Sequence, residues 1–430
     1  MGIILIYKAL FLNIYKVVIT NIVLYKKFLV KCLQKTKILF KIKIMEKIRC
    51  LPDSFPITVT CASGVEKVVK SELKRLGYDD APALNGTLTF NGDMLAVARC
   101  NIFMRSIDRV YIKLSEFIAT TFDELFEGVK SLKLEEFFPE NAKITVNGKC
   151  VKSKLFAISS CQSIIKKAIA DRLCGHYKIN RLLENGAQYQ VEFSIFKDTV
   201  SLYLNTSGVG LHKRGYRDLV GIAPIKETLA SSLLLLSDFY KDRPFADPFC
   251  GSGTIAIEGA KIALDIAGGI GRRFAFNDWK NFDQKLFDTA FTEAKDRENR
   301  GRNIEFYASD IDPKAIALAK RHAERAGLKD KIRFEVKDVK NFVSDYKNGT
   351  IVTNPPYGER VYDKKEAEEC YKSFGKAYAK LDGWSAFVIT SANNFEKHFG
   401  KKCDRERKLY NSNKECKFYY YYGKKGEKNG

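Results

Sequence analysis

The chain has 430 residues, 45% hydrophobic and 29% charged, with 73 Lys+Arg against 51 Asp+Glu and a formal net charge of +22. This excludes a globally disordered chain and predicts two or three domains. The basic surplus suits a polyanionic partner, either nucleic acid or an anionic membrane surface. Four His argue against a His-rich metal site, and 11 Cys without one Cys-x-x-Cys pair argue against a disulfide scaffold or zinc ribbon. A reducing, cytoplasmic setting is expected.

Residues 1–44 stand apart. They hold nine Lys and no Arg, Asp or Glu, and the longest stretch between lysines, Val17 to Tyr25, is too short to span a bilayer. A basic interfacial helix, a poor anchor and translated upstream sequence are the three readings, and Met45 is favoured as the real start. No membrane association is expected. Without this segment 64 basic and 51 acidic residues remain, a net +13.

Ile57–Cys61 alternates as a strand. Ala62 to Leu76 predicts a helix, capped by Ser63 with Glu66 three residues on and stopped by Gly77. Asn85-Gly86 reads as a turn before strand Thr87–Phe90. Lys143–Asn147 predicts a strand, Ser159–Cys174 a helix, and Tyr189–Phe196 with Thr199–Asn205 a hairpin. Beyond Gly215 strands alternate with helices: strand Phe245–Phe249, helix 253–267, strand Glu305–Ser309, helix 313–326, strands Ile332–Lys337 and Thr350–Thr353, helix 364–381, strand Ala386–Thr390. That rhythm predicts a parallel sheet with helices on both faces. A final hairpin ends in four tyrosines, 419–422, expected to be buried on one face and accessible on the other.

Three segments carry chemistry. Asp247-Pro248-Phe249-Cys250-Gly251-Ser252-Gly253-Thr254 lies between a strand and a helix. Its glycines permit a sharp turn and close approach of a nucleotide-type cofactor. It is neither G-x-G-x-x-G nor a phosphate loop, and an acid before the glycines repels phosphate but welcomes an ammonium. An ordinary strand-to-helix turn is the alternative. Asp310 follows the next strand, where a carboxylate can accept both ribose hydroxyls. Asp312 reads first as a helix cap before Pro313. Asp338, after the third strand, suits an adenine amine or is a solvated loop acid.

The third segment, Thr353-Asn354-Pro355-Pro356-Tyr357, follows an apolar strand. Two prolines remove backbone donors, so the loop offers carbonyl oxygens, and Asn354 adds a side-chain acceptor. These can accept both hydrogens of an exocyclic NH₂ on a base and turn its lone pair toward an electrophile. Tyr357 can stack on the base. A rigid turn is the alternative.

Together these residues resemble class I S-adenosylmethionine-dependent methyltransferases that act on exocyclic amines. Leu211-His212-Lys213-Arg214-Gly215-Tyr216-Arg217, Ala223 to Leu229, and Gly358-Glu359-Arg360 are similar to the THUMP-containing large-subunit rRNA guanine-N2 methyltransferases, a likeness covering about residues 55–423. The resemblance implies an α/β, Rossmann-like class I methyltransferase domain at 208–430, with a mostly parallel seven-stranded sheet and an antiparallel final strand. A ferredoxin-like α+β unit at 45–100 and a THUMP RNA-binding domain at 101–207 would precede it. It implies S-adenosylmethionine as cofactor, held by Asp247, Phe249, Gly251, Gly253, Thr254, Asp310, Asp312 and Asp338. The helix at 223–229 would touch the methionine moiety or serve packing alone. Asn354, Pro355, Pro356 and Tyr357 would hold a guanine of 23S rRNA. No metal is called for, because a sulfonium is already electrophilic and catalysis then rests on alignment. RNA contacts are expected from Lys152, Lys154, Lys166, Lys167, Lys213, Arg214 and Arg217. Gly268 to Phe276, with Arg272 and Arg273, reads as a loop over substrate or a connector. Two rivals are a DNA adenine-N6 methyltransferase and a catalytically silent RNA-binding ribosome-assembly factor.

A chain beginning at Met45 is expected to fold and retain activity. Circular dichroism and a methyl-transfer assay on that shortened chain check it.

Overall fold

A computed structural model describes residues 53–84, 86–217, 225–357 and 364–423. The expectations for residues 1–44, Asn85, Ala223, Pro224 and Gly358 to Arg360 lie outside these.

The elements of the first half are β1 (Phe55–Cys61), α1 (Glu66–Arg75), β2 (Ala83–Leu84), β3 (Thr87–Gly92), α2 (Met94–Phe103), β4 (Ile107–Ile118), α3 (Phe122–Lys130), β5 (Lys143–Val151), α4 (Ile158–Tyr177), β6 (Gln188–Phe196) and β7 (Thr199–Asn205). Helix α1 starts later than expected. Val65 is its N-cap and makes no side-chain bond, so Ser63 does not cap it, and the Glu66 carboxylate instead accepts from the Gly64 N–H at 2.9 Å. Its end is as expected: Gly77 adopts φ +89° and the Tyr78 N–H reaches back to the Leu73 carbonyl at 3.0 Å. The expected boundary at 100/101 falls inside the continuous helix α2. All seven strands form one sheet, ordered β2-β3-β1-β4-β7-β6-β5. The 12-residue β4 joins its halves: its start pairs with β1 (Val59 opposite Val110) and its end with β7 (Ile118 opposite Thr199).

The second half contains α5 (Glu227–Leu236), β8 (Phe245–Asp247), α6 (Thr254–Ala263), α7 (Gln284–Arg297), β9 (Phe306–Asp310), α8 (Pro313–Arg325), β10 (Arg333–Val336), β11 (Thr350–Thr353), α9 (Lys364–Tyr378), β12 (Ser385–Thr390), α10 (Phe395–Phe399), β13 (Arg405–Asn411) and β14 (Lys414–Tyr421). The sheet order is β10-β9-β8-β11-β12-β14-β13. Strands β8 to β12 are parallel, and β14 runs antiparallel between β12 and β13. Successive side chains enter opposite cores. Phe245, Val352, Phe387 and Ile389 face α5 and α6, while Ala246, Ile351, Ala386 and Val388 face α9 and α10. The tyrosine run follows the same rule and corrects the one-faced expectation. Tyr420 enters the first core, Tyr419 and Tyr421 the second, and all three are buried because β14 is an inner strand. Tyr422, beyond the strand, is exposed. Among the described residues no helix is long and apolar enough to cross a membrane.

The two sheets belong to one compact unit, and residues 266–283 join them. The Gly269 N–H bonds the Ile102 carbonyl at 2.7 Å, so tightly that a Cβ on Gly269 would lie 2.2 Å from the Asn101 carbonyl oxygen. Arg272 donates to the carbonyls of Gly210 (2.9 Å) and Val209 (2.7 Å). The Trp279 ring stacks on Tyr189 with centroids 4.8 Å apart. Of the two readings for Gly268 to Phe276, the connector is the one observed.

Beneath it lies a buried charge cluster. The Arg214 side chain has no exposure; its Nη2 donates to the Arg105 carbonyl at 2.6 Å, and its Nε lies 4.0 Å from Glu258 Oε2. Glu258 also accepts from Ser231 at 2.8 Å. Burial pushes the neighbouring Lys261 down to about 8. Arg214 is therefore a tie between the two halves, and a guanidinium sealed in this way cannot reach an RNA phosphate. Removing one partner of a buried pair strands the other charge. Arg214→Met is expected to cost about 3–5 kcal/mol of stability, measured from denaturant midpoints.

Candidate functional site

The chain runs from β8 outward through β9 and β10, then returns to lay β11 on the other side of β8. Such a reversal opens a crevice at the strand carboxyl ends. Asp247 ends β8, Asp310 ends β9 and Asn354 follows β11. All three line one cleft of about 740 Å³, and α9 walls it with Glu366, Glu369, Cys370 and Ser373.

The Gly-rich turn shapes the floor. Gly251 adopts φ +49° and Gly253 φ +81°, left-handed values that favour glycine. A Cβ on Gly251 would meet nothing within 4 Å, whereas one on Gly253 would press on Ala319 at 3.0 Å. Gly253 is the N-cap of α6, which begins at the buried Thr254, so the helix N-terminus faces the cleft. Phe249 lines the cleft and packs edge-on against Phe374, with centroids 5.3 Å apart.

Asp247 is the unusual group. It is 1% exposed. Its Oδ1 accepts from the Thr353 hydroxyl at 2.6 Å and the Phe249 N–H at 3.4 Å, while its buried Oδ2 has no hydrogen-bond partner. Burial pushes its carboxyl up to about 7. A buried, unpartnered carboxylate oxygen on a residue that lines the cleft fits an ammonium group. Thr353, inside the quoted motif but given no role from sequence, fixes which oxygen stays open.

Asp310 Oδ2 accepts from the Gly251 N–H at 2.9 Å and Oδ1 from the Asp312 N–H at 3.0 Å, so the second strand is laced to the Gly turn. Burial pushes the Asp310 carboxyl up, against those two bonds. Asp312 caps α8 by accepting from the Lys314 N–H at 2.8 Å and sits exposed at the rim. Asp338 accepts from the Lys340 N–H and pairs with its ammonium, both at 3.0 Å. Burial opposes ionisation there, but the Lys340 groups outweigh it and hold the carboxyl low.

The proline loop differs from the expectation in two respects. The Tyr357 hydroxyl donates to Asn354 Oδ1 at 2.7 Å, and the Lys414 ammonium lies 5.1 Å from the Tyr357 ring centroid. Tyr357 packs on the core and, unlike Asn354 and Pro356, does not line the cleft. It orients the Asn354 amide rather than offering a stacking face. The Pro356 carbonyl is likewise occupied, accepting from the Tyr371 hydroxyl. Pro355 is buried between them. Ile225, in the 223–229 segment expected to touch the methionine moiety or to pack, lines the cleft ahead of α5, and tertiary packing alone brings the α9 wall there.

Among the basic residues, Lys152, Lys154, Lys166, Lys167 and Lys213 are exposed. Lys166 is paired with Glu184 at 3.0 Å, and Lys167 lies over the Phe126 ring at 5.7 Å. The Arg217 side chain is 12% exposed and bonds Glu227 at 3.2 Å, which makes it, like Arg214, a structural tie.

Comparison with known proteins identifies three segments. Residues 56–111 match the RlmL ferredoxin-like domain, 119–205 the THUMP domain, and 214–419 the domain described as RMKL-like, methyltransferase domain. The chain is 45% identical over 372 residues to the Bacillus subtilis (strain 168) "Putative RNA methyltransferase YpsC", covering 86% of this chain and 96% of that protein. The crystal structure of "SMU.472, a putative methyltransferase complexed with SAH" superposes with a TM-score of 0.85 at 38% identity, covering 88% of this chain and all of that one. A "predicted N6-adenine-specific DNA methylase" from Listeria monocytogenes str. 4b F2365 gives 0.83 at 44% identity, covering 86% and 96%.

A carboxyl raised from its ordinary 3.8 to about 7 favours folding below pH 4, and that contribution is lost as pH rises through 7. Asp247→Asn, without bound ligand, is therefore expected to be more stable than the parent at pH 8 and no more stable at pH 4. Denaturant midpoints at the two pH values check it.

Proposed function

The chain belongs to the THUMP-containing, RMKL-like methyltransferase family, and from that premise we propose that it methylates the exocyclic N2 amine of a guanine in 23S rRNA, with S-adenosylmethionine as donor. One observation carries the reading. Asp247, with its unpartnered oxygen, and Asn354 line a single cleft, on a unit that also holds a THUMP domain.

The residues fit the cofactor. Asp247 Oδ2 would take the ammonium of its methionine end, the Gly251–Gly253 turn would admit its backbone, and Asp310 would hold the ribose. Asp338 and the rim acid Asp312 border the adenine side. When bound, the cofactor supplies an electrophilic methyl group. Every other contribution comes from positioning by the protein. Asn354 Oδ1, through the lone pair that Tyr357 leaves free, and the Pro355 carbonyl would accept the two hydrogens of the target amine. Tyr357 keeps Asn354 in register. Burial pushes the Tyr357 hydroxyl up, so it stays a donor at neutral pH. The amine loses its proton during or after transfer, so no dedicated base is assigned.

An exocyclic adenine amine would fit the same acceptors, and the Listeria relative's description as a DNA methylase points to that chemistry. The THUMP segment favours RNA over DNA. The target base would enter unstacked, in a loop or flipped from a helix. The exposed Lys152, Lys154, Lys166, Lys167 and Lys213 are the cations proposed to meet phosphate, and they imply salt-dependent affinity.

Asn354→Ala is expected to abolish turnover with little change in cofactor affinity, whereas Asp310→Ala should weaken cofactor binding. Methyl transfer to unmodified rRNA and to duplex DNA, with calorimetric titration of S-adenosylhomocysteine, checks both. Transfer to DNA alone overturns the RNA reading, tight RNA binding without transfer marks an assembly factor, and near-parental activity in Asn354→Ala removes its assignment.

A further inference from the structure

A second cleft, of about 430 Å³, lies beside the first and plays no part in the chemistry described above. Ser63 and Asp108 line it from the ferredoxin-like unit, Lys226 and Thr228 from the start of α5, and Tyr410 and Ser412 from the β13–β14 hairpin. Its volume lies in the range of small-ligand sites.

Two links place it next to the reacting centre. Ile225 lines the first cleft and Lys226 the second, and consecutive Cα atoms are about 3.8 Å apart. The hairpin that supplies Tyr410 and Ser412 also supplies Lys414, which lies over Tyr357 of the catalytic loop. The second cleft therefore lies within reach of a polynucleotide that has one base in the first. The lining suits a nucleotide. The half-buried Tyr410 lines the cleft with an aromatic ring of the kind bases stack on, and the Lys408 ammonium lies over that ring, 5.5 Å from its centroid. Asp108 Oδ1 accepts from the Thr228 hydroxyl at 3.0 Å, which fixes the carboxylate. A fixed carboxylate accepts hydrogen bonds from a base edge rich in N–H groups, and guanine offers N1–H and N2–H side by side. Lys226 supplies the cation for a phosphodiester.

We propose that this inter-unit cleft seats the nucleotide adjacent to the target, stacking its base on Tyr410 and selecting a guanine through Asp108. The proposal rests on the RNA reading and sets its sequence context.

The test uses the full chain and unmodified 23S rRNA transcripts, after mapping of the methylated base. Tyr410→Ala is expected to raise the KM for the transcript by about tenfold with kcat and cofactor affinity unchanged. Tyr410→Phe, which keeps the ring, should restore the parental KM. Replacing guanine by uracil at one neighbour of the target should lower kcat/KM in the parent, and Asp108→Asn should flatten that preference. Denaturant midpoints confirm that each variant is folded. An unchanged KM in folded Tyr410→Ala, or a parent indifferent to both neighbours, overturns the subsite while rRNA methylation continues. A parent that methylates no rRNA overturns the function and the subsite together.

Discussion

A carboxylate enclosed at the base of a cleft sets the terms for the rest of this molecule. Asp247 ends a central strand where both faces are covered, so water cannot stabilise its charge, and one oxygen has no partner within the fold. Such a group is costly to ionise until a cation arrives. The surrounding structure makes that the site's preference. Thr353 takes the other oxygen, the Gly turn leaves open space above Gly251, and Asp310 ties that turn to the next strand. The proposed preference for an amino-acid-ended ligand rests on that desolvation.

The second constraint is rigidity between the halves. A base held by Asn354 is useful only if the RNA is held at a matching distance. The RNA-binding half does not hang on a linker. Arg214, Glu258 and Lys261 lie buried at the join, Gly269 packs against the backbone of Asn101, and Trp279 stacks on Tyr189. Buried charges are weak contributors to net stability, but they penalise any other arrangement of the two parts. The catalytic loop is fixed in the same manner. The Tyr371 hydroxyl holds the Pro356 carbonyl and the Tyr357 hydroxyl orients the Asn354 amide, whose oxygen keeps a second lone pair.

Much of the catalytic half was legible from residues alone. Strand β12 is a continuous buried run, α8 and α9 are amphipathic, and β11 was placed to the residue. The Gly turn and the proline loop were legible because each needs backbone properties that few residues provide. Other elements left weaker traces. Helix α2 (Met94–Phe103) is buried on nearly every side, so it has no polar stripe to mark its period. Strand β4 divides its length between two neighbours with a register shift, and the join of the two N-terminal units falls within it rather than in a linker. Ser63 sits two residues before the N-cap, Val65, too early to cap α1. The four tyrosines looked two-sided because tyrosine tolerates water, yet an inner strand buries three of them.

What the sequence by itself determined is the chemistry on offer: an acid before a glycine turn, an acid after the second strand, and an asparagine before two prolines. These are local facts, since they depend on covalent geometry and on strand ends that periodicity reveals. What only the tertiary structure decided is which groups are occupied. Arg214 and Arg217 read as RNA contacts but face carboxylates; Tyr357 read as a stacking platform but serves Asn354. Hydrogen-bond and charge partners come from segments far apart in the chain, and whether a polar group is free or engaged depends on that packing.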